Sequence, residues 1–423
     1  MTQMPSWKLR HTVIAIMFTA SIVSFMDRMA MSVVLPFIKA DFHLGAFESG
    51  AVMSAFFVGY SLSQIPGGLL SDRFGIRRVL TVAMLWWSFF TAITGLVGSF
   101  VQMLIVRVLF GAGEGVFPAS AFKTVAVWFP KRERATANAI MLSSSRLGAA
   151  IAPLVVVALM HFGGWRTVFF SLFIPGLLVT LLCWLFVADS PFTSRRITPA
   201  ELADFEEPTD AETAHKADAL SFREVLRQEN LLKYCLIYFT FDFAYWGFTS
   251  WLPTYLVEAR GFSMVQMGIG ASLPFLAGTV GCVFGGWLSD RFFSGRRKIL
   301  IVAAQLSSAA LLYLTFVSGS MMALYAFQTL AGLTLSIFFA AFWAMPMNTV
   351  PKERMGVTSG IINTAAQVAA IISPVCVGYL IEVSGGHFAL TFAVMIISLL
   401  ISCAIAFTLP NTAPAIEASL EPA

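Results

Sequence analysis

Long apolar stretches separated by short polar loops make up most of the chain. The hydrocarbon core of a bilayer is about 30 Å thick, and a helix needs about 20 apolar residues to cross it. The stretches of this length lie at 11–37, 48–70, 79–99, 101–127, 135–160, 165–187, 231–256, 264–288, 299–317, 321–346, 355–381 and 387–409. The pattern therefore predicts an all-α membrane protein with twelve transmembrane helices.

One polar segment divides these stretches into two sets of six. It runs from Ala188 to Asn230 and contains ten Asp and Glu residues. The division predicts an N-terminal six-helix bundle over 1–187, a cytoplasmic linker with some helix over 188–230, a C-terminal six-helix bundle over 231–410 and a short cytoplasmic tail over 411–423.

The two halves repeat each other in sequence. GGLLSDRFGIRR, which begins at Gly67, recurs in the second half as GGWLSDRFFSGRRK, which begins at Gly285. A second segment, PKRERATANAI from Pro130, recurs with nearly the same offset as PKERMGVTSGI from Pro351. The repeat predicts two pseudo-symmetric bundles, an architecture of transporters whose substrate site lies between the halves near the bilayer midplane.

Composition excludes most other classes of protein. Hydrophobic residues make up 58% of the chain and charged residues 12%, against about 25% charged in a soluble domain. Soluble enzymes, nucleic-acid-binding proteins and disordered proteins are therefore excluded, and the net charge of +4 indicates no nucleic-acid partner. The five cysteines lie in apolar stretches without metal-ligand spacing, so we interpret them as packing residues and predict no metal or cofactor.

The positions of Lys and Arg predict the membrane orientation, because these residues concentrate in cytoplasmic loops. With the N-terminus inside, twenty of the 27 fall in inside loops, three in outside loops and four within spans. The apolar run from Thr12 is too long for the core of a signal peptide. We expect a multi-pass protein with both termini cytoplasmic.

Ionisable residues inside the predicted spans indicate a functional site, because each costs at least about 2.5–3.5 kcal/mol at the bilayer centre. Adjacent residues on a helix point about 100° apart, so Asp27 and Arg28 should contact different neighbours. Arg107 and Glu114 are seven residues apart and share one helix face, about 10 Å from each other. Nearby glycines let another helix approach and bury Glu114, which suits a proton-exchanging carboxylate with Arg107 as its counter-charge.

Two further charges lie within spans five and seven. We interpret Arg146, flanked by Ser and Gly, as a second anion contact; the alternative is an ion pair with Glu114 or Asp242. Asp242 has three open interpretations: it carries a proton, contacts substrate hydroxyl groups, or pairs with Arg146.

The repeated loop resembles the signature loop of the major facilitator superfamily. Its glycines are expected to let spans two and three approach closely, and its Asp to accept hydrogen bonds from arginines or a helix N-terminus at a cytoplasmic gate. The resemblance implies that the gate residues are Gly68, Asp72, Arg73, Arg77, Asp290 and Arg291.

A narrower resemblance is to the anion:cation symporter family, which includes bacterial hexuronate, glucarate and galactonate transporters. It rests on FMDRMAMSVVLPFI from Phe25, YSLSQIPGG from Tyr60, RVLFGAGEGVFPAS from Arg107 and WLPTYL from Trp251. The resemblance implies that Asp27 is a proton carrier, that Arg28 binds the substrate carboxylate, and that Arg107 and Glu114 couple transport to protons. It also implies that the cavity is lined by Tyr60, Trp343, Asn363 and Gln367.

Together these features predict a secondary active transporter of the bacterial inner membrane, not an enzyme. The expected activity is proton-coupled symport of a sugar acid, such as a hexonate or hexuronate, into the cell by a monomer. The alternatives are sodium coupling, an aromatic or dicarboxylic acid as substrate, and then proton-coupled drug efflux, which the intramembrane arginines disfavour because they repel cations. No Walker, HExxH or GxSxG motif occurs in the chain.

Overall fold

The computed structural model describes residues 7–130, 132–205, 230–350 and 352–410. The predicted tail over 411–423 and most of the polar linker, residues 206–229, lie outside these residues. Within them the chain forms the helices α1 (Leu9–Phe42), α2 (Ala46–Phe74), α3 (Ile76–Thr94), α4 (Phe100–Trp128), α5 (Arg134–Met160), α6 (Gly164–Phe186), α7 (Pro199–Leu202), α8 (Leu231–Thr254), α9 (Met264–Phe292), α10 (Arg297–Val317), α11 (Met321–Thr349), α12 (Lys352–Val383) and α13 (Ala389–Phe407).

The helices follow the predicted apolar stretches. Apart from α7, every one has 19 or more residues, and ten of those in the described part of the chain are long and apolar enough to cross a membrane. The other two long helices, α2 and α8, do not reach the same combination of length and apolar composition. The all-helical membrane fold is therefore confirmed, and the number of twelve spans stays a prediction.

By its internal contacts the chain divides into two compact units. Unit 1 comprises Met1–Leu44 and Ala55–Thr213, and unit 2 comprises Gly45–Ser54 and Ala214–Ala423. The first turns of α2 thus belong to unit 2, where the carboxylate of Glu382 accepts a hydrogen bond of 3.0 Å from the Phe47 N–H.

The helices of each unit pack in the same order. In unit 1, α1 packs against α5 and α6, while α3 packs against α4 and α6. In unit 2, α8 packs against α12 and α13, while α10 packs against α11 and α13. The sequence repeat is therefore also a repeat of helix packing.

Glycines set the closest helix crossings, again at matching positions in the two units. A Cβ on Gly111 of α4 would collide with the Phe56 carbonyl oxygen of α2. A Cβ on Gly332 of α11, the matching position of the second repeat, would collide with the Pro274 carbonyl of α9. These crossings bring the backbones of the paired helices into direct contact, which small residues allow in membranes.

The start of the linker holds the beginning of α1. The carboxylate of Glu201, on α7, accepts hydrogen bonds from the Leu9 and Arg10 N–H groups at 2.8 and 3.0 Å. Asp204 lies 2.5 Å from the Lys8 ammonium and 3.0 Å from Arg10. Carboxylates at the first turn satisfy its free N–H groups and oppose its dipole, so these acidic linker residues fix the first turn of α1.

Candidate functional site

Asp27 and Arg28 lie buried in the middle of α1 and contact different helices, as their spacing predicts. Arg28 forms an ion pair with Glu114 of α4, with Nη2 at 3.0 Å from Oε2. Asp27 accepts a hydrogen bond of 3.2 Å from the Thr91 hydroxyl of α3. Two neighbouring residues of one helix therefore connect α1 to two other helices of unit 1.

Glu114 is buried because α4 presses against its neighbours through glycine. A Cβ on Gly115 would collide with the Tyr60 carbonyl of α2, and one on Gly113 would lie 2.5 Å from the Trp86 ring of α3. The Glu114 side chain is 0% exposed. The glycine pattern thus buries this carboxylate, as predicted, and forces it to take its partner from inside the unit.

The guanidinium of Arg28 is surrounded by aromatic rings. Its carbon lies 4.6 Å from the ring centre of Phe25 and 4.7 Å from those of Phe56 and Tyr60. Rings around a guanidinium hold it by cation–π attraction and leave the N–H edge for an anion. Tyr60, predicted to line the cavity, therefore lies against the predicted carboxylate-binding arginine.

Arg107, the counter-charge predicted for Glu114, forms no ion pair with it in the described residues. It is 2% exposed, and its guanidinium carbon lies 4.8 Å from the ring centre of Phe110 and 5.1 Å from that of Phe56. The partner in contact with Glu114 is Arg28, which spacing within α4 alone could not reveal. The suggested pairing of Glu114 with Arg146 is likewise replaced by Arg28.

Three buried atoms of this cluster have no hydrogen-bond partner in the part of the chain that the structure describes: Asp27 Oδ1, Glu114 Oε1 and Arg107 Nε. Buried polar atoms are nearly always paired, so each such atom calls for an explanation. Two carboxylates and two guanidiniums balance in charge, and a free oxygen on each carboxylate is a place where a proton can bind.

The remaining predicted site residues are divided between the units. Arg146 is half-buried on α5 of unit 1, and Asp242 is buried on α8 of unit 2. On α11, Trp343 donates a hydrogen bond of 3.3 Å to the Tyr238 hydroxyl. Asn363 and Gln367 lie half-buried one turn apart on α12. The structure therefore groups Asp27, Arg28, Tyr60, Arg107 and Glu114 in one cluster and places Asp242, Trp343, Asn363 and Gln367 in the other unit.

An aromatic stack in unit 2 was missed from the sequence. Tyr238 of α8 lies parallel to Phe342 of α11, with ring centres 4.9 Å apart, and Phe241 stacks on Phe338 at 3.7 Å. Only the recurrence of aromatic residues along both segments could have indicated it, and Phe is too abundant here, with 40 residues, to be informative.

The glycines of the repeated loop act differently from the prediction. A Cβ on Gly67 would lie 2.7 Å from the Val116 Cα of α4, and one on Gly285 would lie 2.8 Å from the Ile337 Cα of α11. A Cβ on Gly68 would only touch Ala119 at 3.7 Å. The two glycines therefore do not lie at an approach of spans two and three, as expected: Gly67 makes the close contact, and it lies against α4.

The two carboxylates of the repeated loop differ in how they meet the expectation. Asp72 pairs with Lys123 of α4 at 2.6 Å, rather than with an arginine or a helix N-terminus. In the second unit Asp290 accepts a hydrogen bond of 3.0 Å from Arg297 of the same loop, so the expected arginine partner is found there. Arg77 donates to the Trp184 carbonyl at 2.7 Å, and it is Asp189 that accepts from the first turn of α3, at the Arg77 N–H. Of the other predicted gate residues, Arg73 stacks on Phe74 and Arg291 is exposed.

Comparison with known proteins identifies the fold and the class. The family model of the Major Facilitator Superfamily matches residues 17–374 and 265–422. The chain belongs to this superfamily. It is 35% identical to the probable sulfoacetate transporter SauU of Cupriavidus necator, over 90% of this chain and 89% of that one. It is 30% identical to a hexuronate transporter of Bacillus subtilis, over 88% of each chain.

Solved structures agree on the fold. A bacterial homologue of the human lysosomal transporter Spinster, in an inward-facing and unoccupied conformation, superposes with a TM-score of 0.78 at 20% identity, covering 95% of this chain and 97% of that one. A D-xylose–proton symporter superposes with a TM-score of 0.73 at 16% identity, covering 96% and 99%. The chain is thus a membrane transporter and not an enzyme, and its resemblance to the anion symporters is supported by its relatives.

Proposed function

We propose that this protein imports a small organic anion together with protons by alternating access. The observation that supports this proposal is the buried ion pair between Arg28 and Glu114. In this pair, the carboxylate of Glu114 is bound to the guanidinium that a substrate carboxylate would need. Substrate and Glu114 therefore compete for one guanidinium, and the competition links anion binding to protonation.

The linkage follows from the burial of both partners. When an anion takes Arg28, Glu114 loses its ion pair, and an unpaired buried charge costs about 3–5 kcal/mol. Binding of a proton removes this charge, so proton and anion favour each other's binding by the same factor. Release of the proton on the cytoplasmic side returns Glu114 to Arg28 and expels the anion. The same site thus loads and unloads both ligands.

Asp27 is proposed as a second proton carrier, with Arg107 balancing the charge of the cluster. One oxygen of Asp27 accepts from Thr91, and the other has no partner among the described residues. Arg107 lies against the rings of Phe56 and Phe110, so it supplies positive charge to the cluster without blocking the carboxylate. No cofactor is proposed, and the coupling ion is the proton.

The proposed substrate is a sugar acid of the hexonate or hexuronate class. Relatives named for hexuronate and for galactarate or D-glucarate support it. Trp343 with Tyr238 offers a flat wall with polar edges, and the amides of Asn363 and Gln367 offer donors and acceptors for hydroxyl groups. Sulfoacetate is a second candidate, because a relative named for it is 35% identical.

We further propose a monomer in the bacterial inner membrane with both termini cytoplasmic. In that orientation the ion pairs Asp72–Lys123 and Asp290–Arg297 lie at the cytoplasmic ends of α2 and α9. Asp242, on unit 2, is proposed either to contact substrate hydroxyl groups or to carry a proton.

Transport by the purified protein in proteoliposomes tests the proposal. The vesicles hold a pH-sensitive dye and are offered D-glucuronate, galactarate, L-galactonate or sulfoacetate, with an acidic outside and no sodium. We expect accumulation of at least one anion, internal acidification during uptake, and loss of accumulation when the pH gradient is collapsed. Uptake that requires a sodium gradient, or that moves no protons, would contradict proton symport.

A further inference from the structure

A groove of about 390 Å³ opens in unit 1 between α2, α3 and α4. Leu70, Phe74, Val82 and Trp86 lie along it, and each of them is more than a third exposed. The groove is separate from the Arg28–Glu114 cluster in its lining residues. An open apolar groove on a membrane-spanning unit is a place for a hydrocarbon chain.

Small residues of α4 create this groove. Ala112 and Gly113 form part of its lining, and the Nε1–H of Trp86, donated to the Leu109 carbonyl at 2.7 Å, fixes the ring beside them. In the second repeat, where Gly332 matches Gly111, the corresponding positions are Leu333 and Thr334. Larger side chains stand at these positions of unit 2, so the small residues that shape the groove are particular to unit 1.

Positive charge lies at one end of the groove. Arg78 is its one charged lining residue; it is exposed and makes no hydrogen bond or ion pair with any residue that the structure describes. Arg73 lies over the ring of Phe74, 5.3 Å from its centre, and Phe74 also lines the groove. Both arginines are at the junction of α2 and α3, where helices of a membrane protein meet the headgroups.

We propose that this groove binds an anionic phospholipid of the bilayer, with one acyl chain along Leu70, Val82 and Trp86 and the headgroup phosphate at Arg78 and Arg73. The apolar length and the cationic end match the two parts of such a lipid. An arginine near a membrane surface contributes about 1 kcal/mol to anionic lipid binding, which corresponds to about fivefold in affinity. The site does not depend on which anion the protein transports.

Native mass spectrometry of the purified full-length protein in detergent tests this proposal. Phosphatidylglycerol or phosphatidylcholine with the same acyl chains is added, and the retained lipid is counted. We expect phosphatidylglycerol to bind more tightly, and Arg78→Gln to weaken it about fivefold. Phosphatidylcholine should be weakened less, because its choline offsets the charge of its phosphate. The matched control is Arg296→Gln, in the corresponding loop of unit 2, which should leave both lipids unchanged.

A second pair of variants tests the acyl-chain part. Val82→Trp fills the groove and should weaken both lipids, whereas Leu85→Trp, on the same helix but outside the lining, should weaken neither. Substrate uptake by each variant shows that it is folded. Equal loss of phosphatidylglycerol in Arg78→Gln and Arg296→Gln, or no preference between the two lipids, would overturn the proposal.

Discussion

The guanidinium of Arg28 donates two hydrogen bonds to a single oxygen of Glu114, with Nη2 at 3.0 Å and Nε at 3.3 Å from Oε2. The other oxygen, Oε1, is buried and has no hydrogen-bond partner in the described residues. The arginine therefore binds only one oxygen of the Glu114 carboxylate, and the second oxygen stays available to a proton. This asymmetry is what a carboxylate needs if it is to alternate between pairing with Arg28 and carrying a proton.

Arg28→Lys should weaken substrate binding about tenfold or more while the protein still inserts. Lysine keeps the charge but lacks the planar fork and its stacking on aromatic rings. Loss of one charge-assisted hydrogen bond is worth about 1.5–3 kcal/mol, or about tenfold or more in affinity. Affinity is measured by substrate protection against thermal unfolding. The control is Arg132→Lys on the surface, and equal affinity in the two variants would refute the role of Arg28.

Glu114→Gln should abolish accumulation against a gradient and keep counterflow exchange. Glutamine resembles the protonated carboxyl, so the site can bind and release substrate but cannot release a proton. Uptake driven by a pH gradient is compared with exchange of labelled for unlabelled substrate in the same proteoliposomes. If the variant still accumulates substrate, the coupling proton is carried elsewhere, with Asp27 the first residue to test.

The sequence predicts the helices well and their contacts poorly. Apolar length determines where α1 to α6 begin and end, because each must cross the same bilayer. The Arg28–Glu114 pair joins residues 86 positions apart. It depends on how α1 packs against α4, so the spacing of residues within one helix cannot predict it. Glu201 reads as one more acidic linker residue, yet in the structure it closes the first turn of α1.

Lys123 shows the same limit. A lysine near the end of a span can extend its chain towards water, so its position in the sequence indicates no partner. The structure places its ammonium on Asp72, one helix away. Contacts made by glycine are easier to predict, because small residues are needed wherever helix backbones touch. Gly111 and Gly115 therefore indicate the burial of Glu114 from the sequence alone.

Gly111→Ala should destabilise the protein, and Gly68→Ala should not. A Cβ on Gly111 would meet the Phe56 carbonyl, a backbone atom that cannot turn aside, whereas one on Gly68 meets Ala119 at an ordinary 3.7 Å. Overpacking costs about 1–3 kcal/mol. Thermal unfolding in detergent measures both variants. A lower transition temperature for Gly68→Ala than for Gly111→Ala would show that the close α2–α4 crossing at Gly111 does not determine the stability of the protein.

Arg146→Gln should impair the uptake of dianions more than that of monoanions. With Arg28 holding one carboxylate, a second cation on the same unit would favour a substrate with a second negative group. Galactarate and L-galactonate, which differ in charge, are compared as competitors for the same transport assay. If both lose affinity equally, Arg146 serves to neutralise a carboxylate of the protein and does not select substrate charge.

Asp204→Asn should lower stability at neutral pH and have no effect in acid. The hydrogen bond from the Lys8 ammonium holds the pKa of Asp204 below its usual value, and the charge of Arg10 adds to this. Because the pKa is lower in the folded state, the stabilisation is present above the unfolded value of about 3.9 and is lost as the pH falls through the folded value.

The side chain of Asp204 is 25% exposed, so the effect should be below about 1 kcal/mol. Thermal unfolding from pH 7 to about pH 2 is compared for the wild type, Asp204→Asn, Lys8→Gln and the double variant. In acid the four curves should converge, and at neutral pH the double variant should lose less than the sum of the single losses. A constant difference between wild type and Asp204→Asn across this pH range would mean that Asp204 acts through packing and not through its charge.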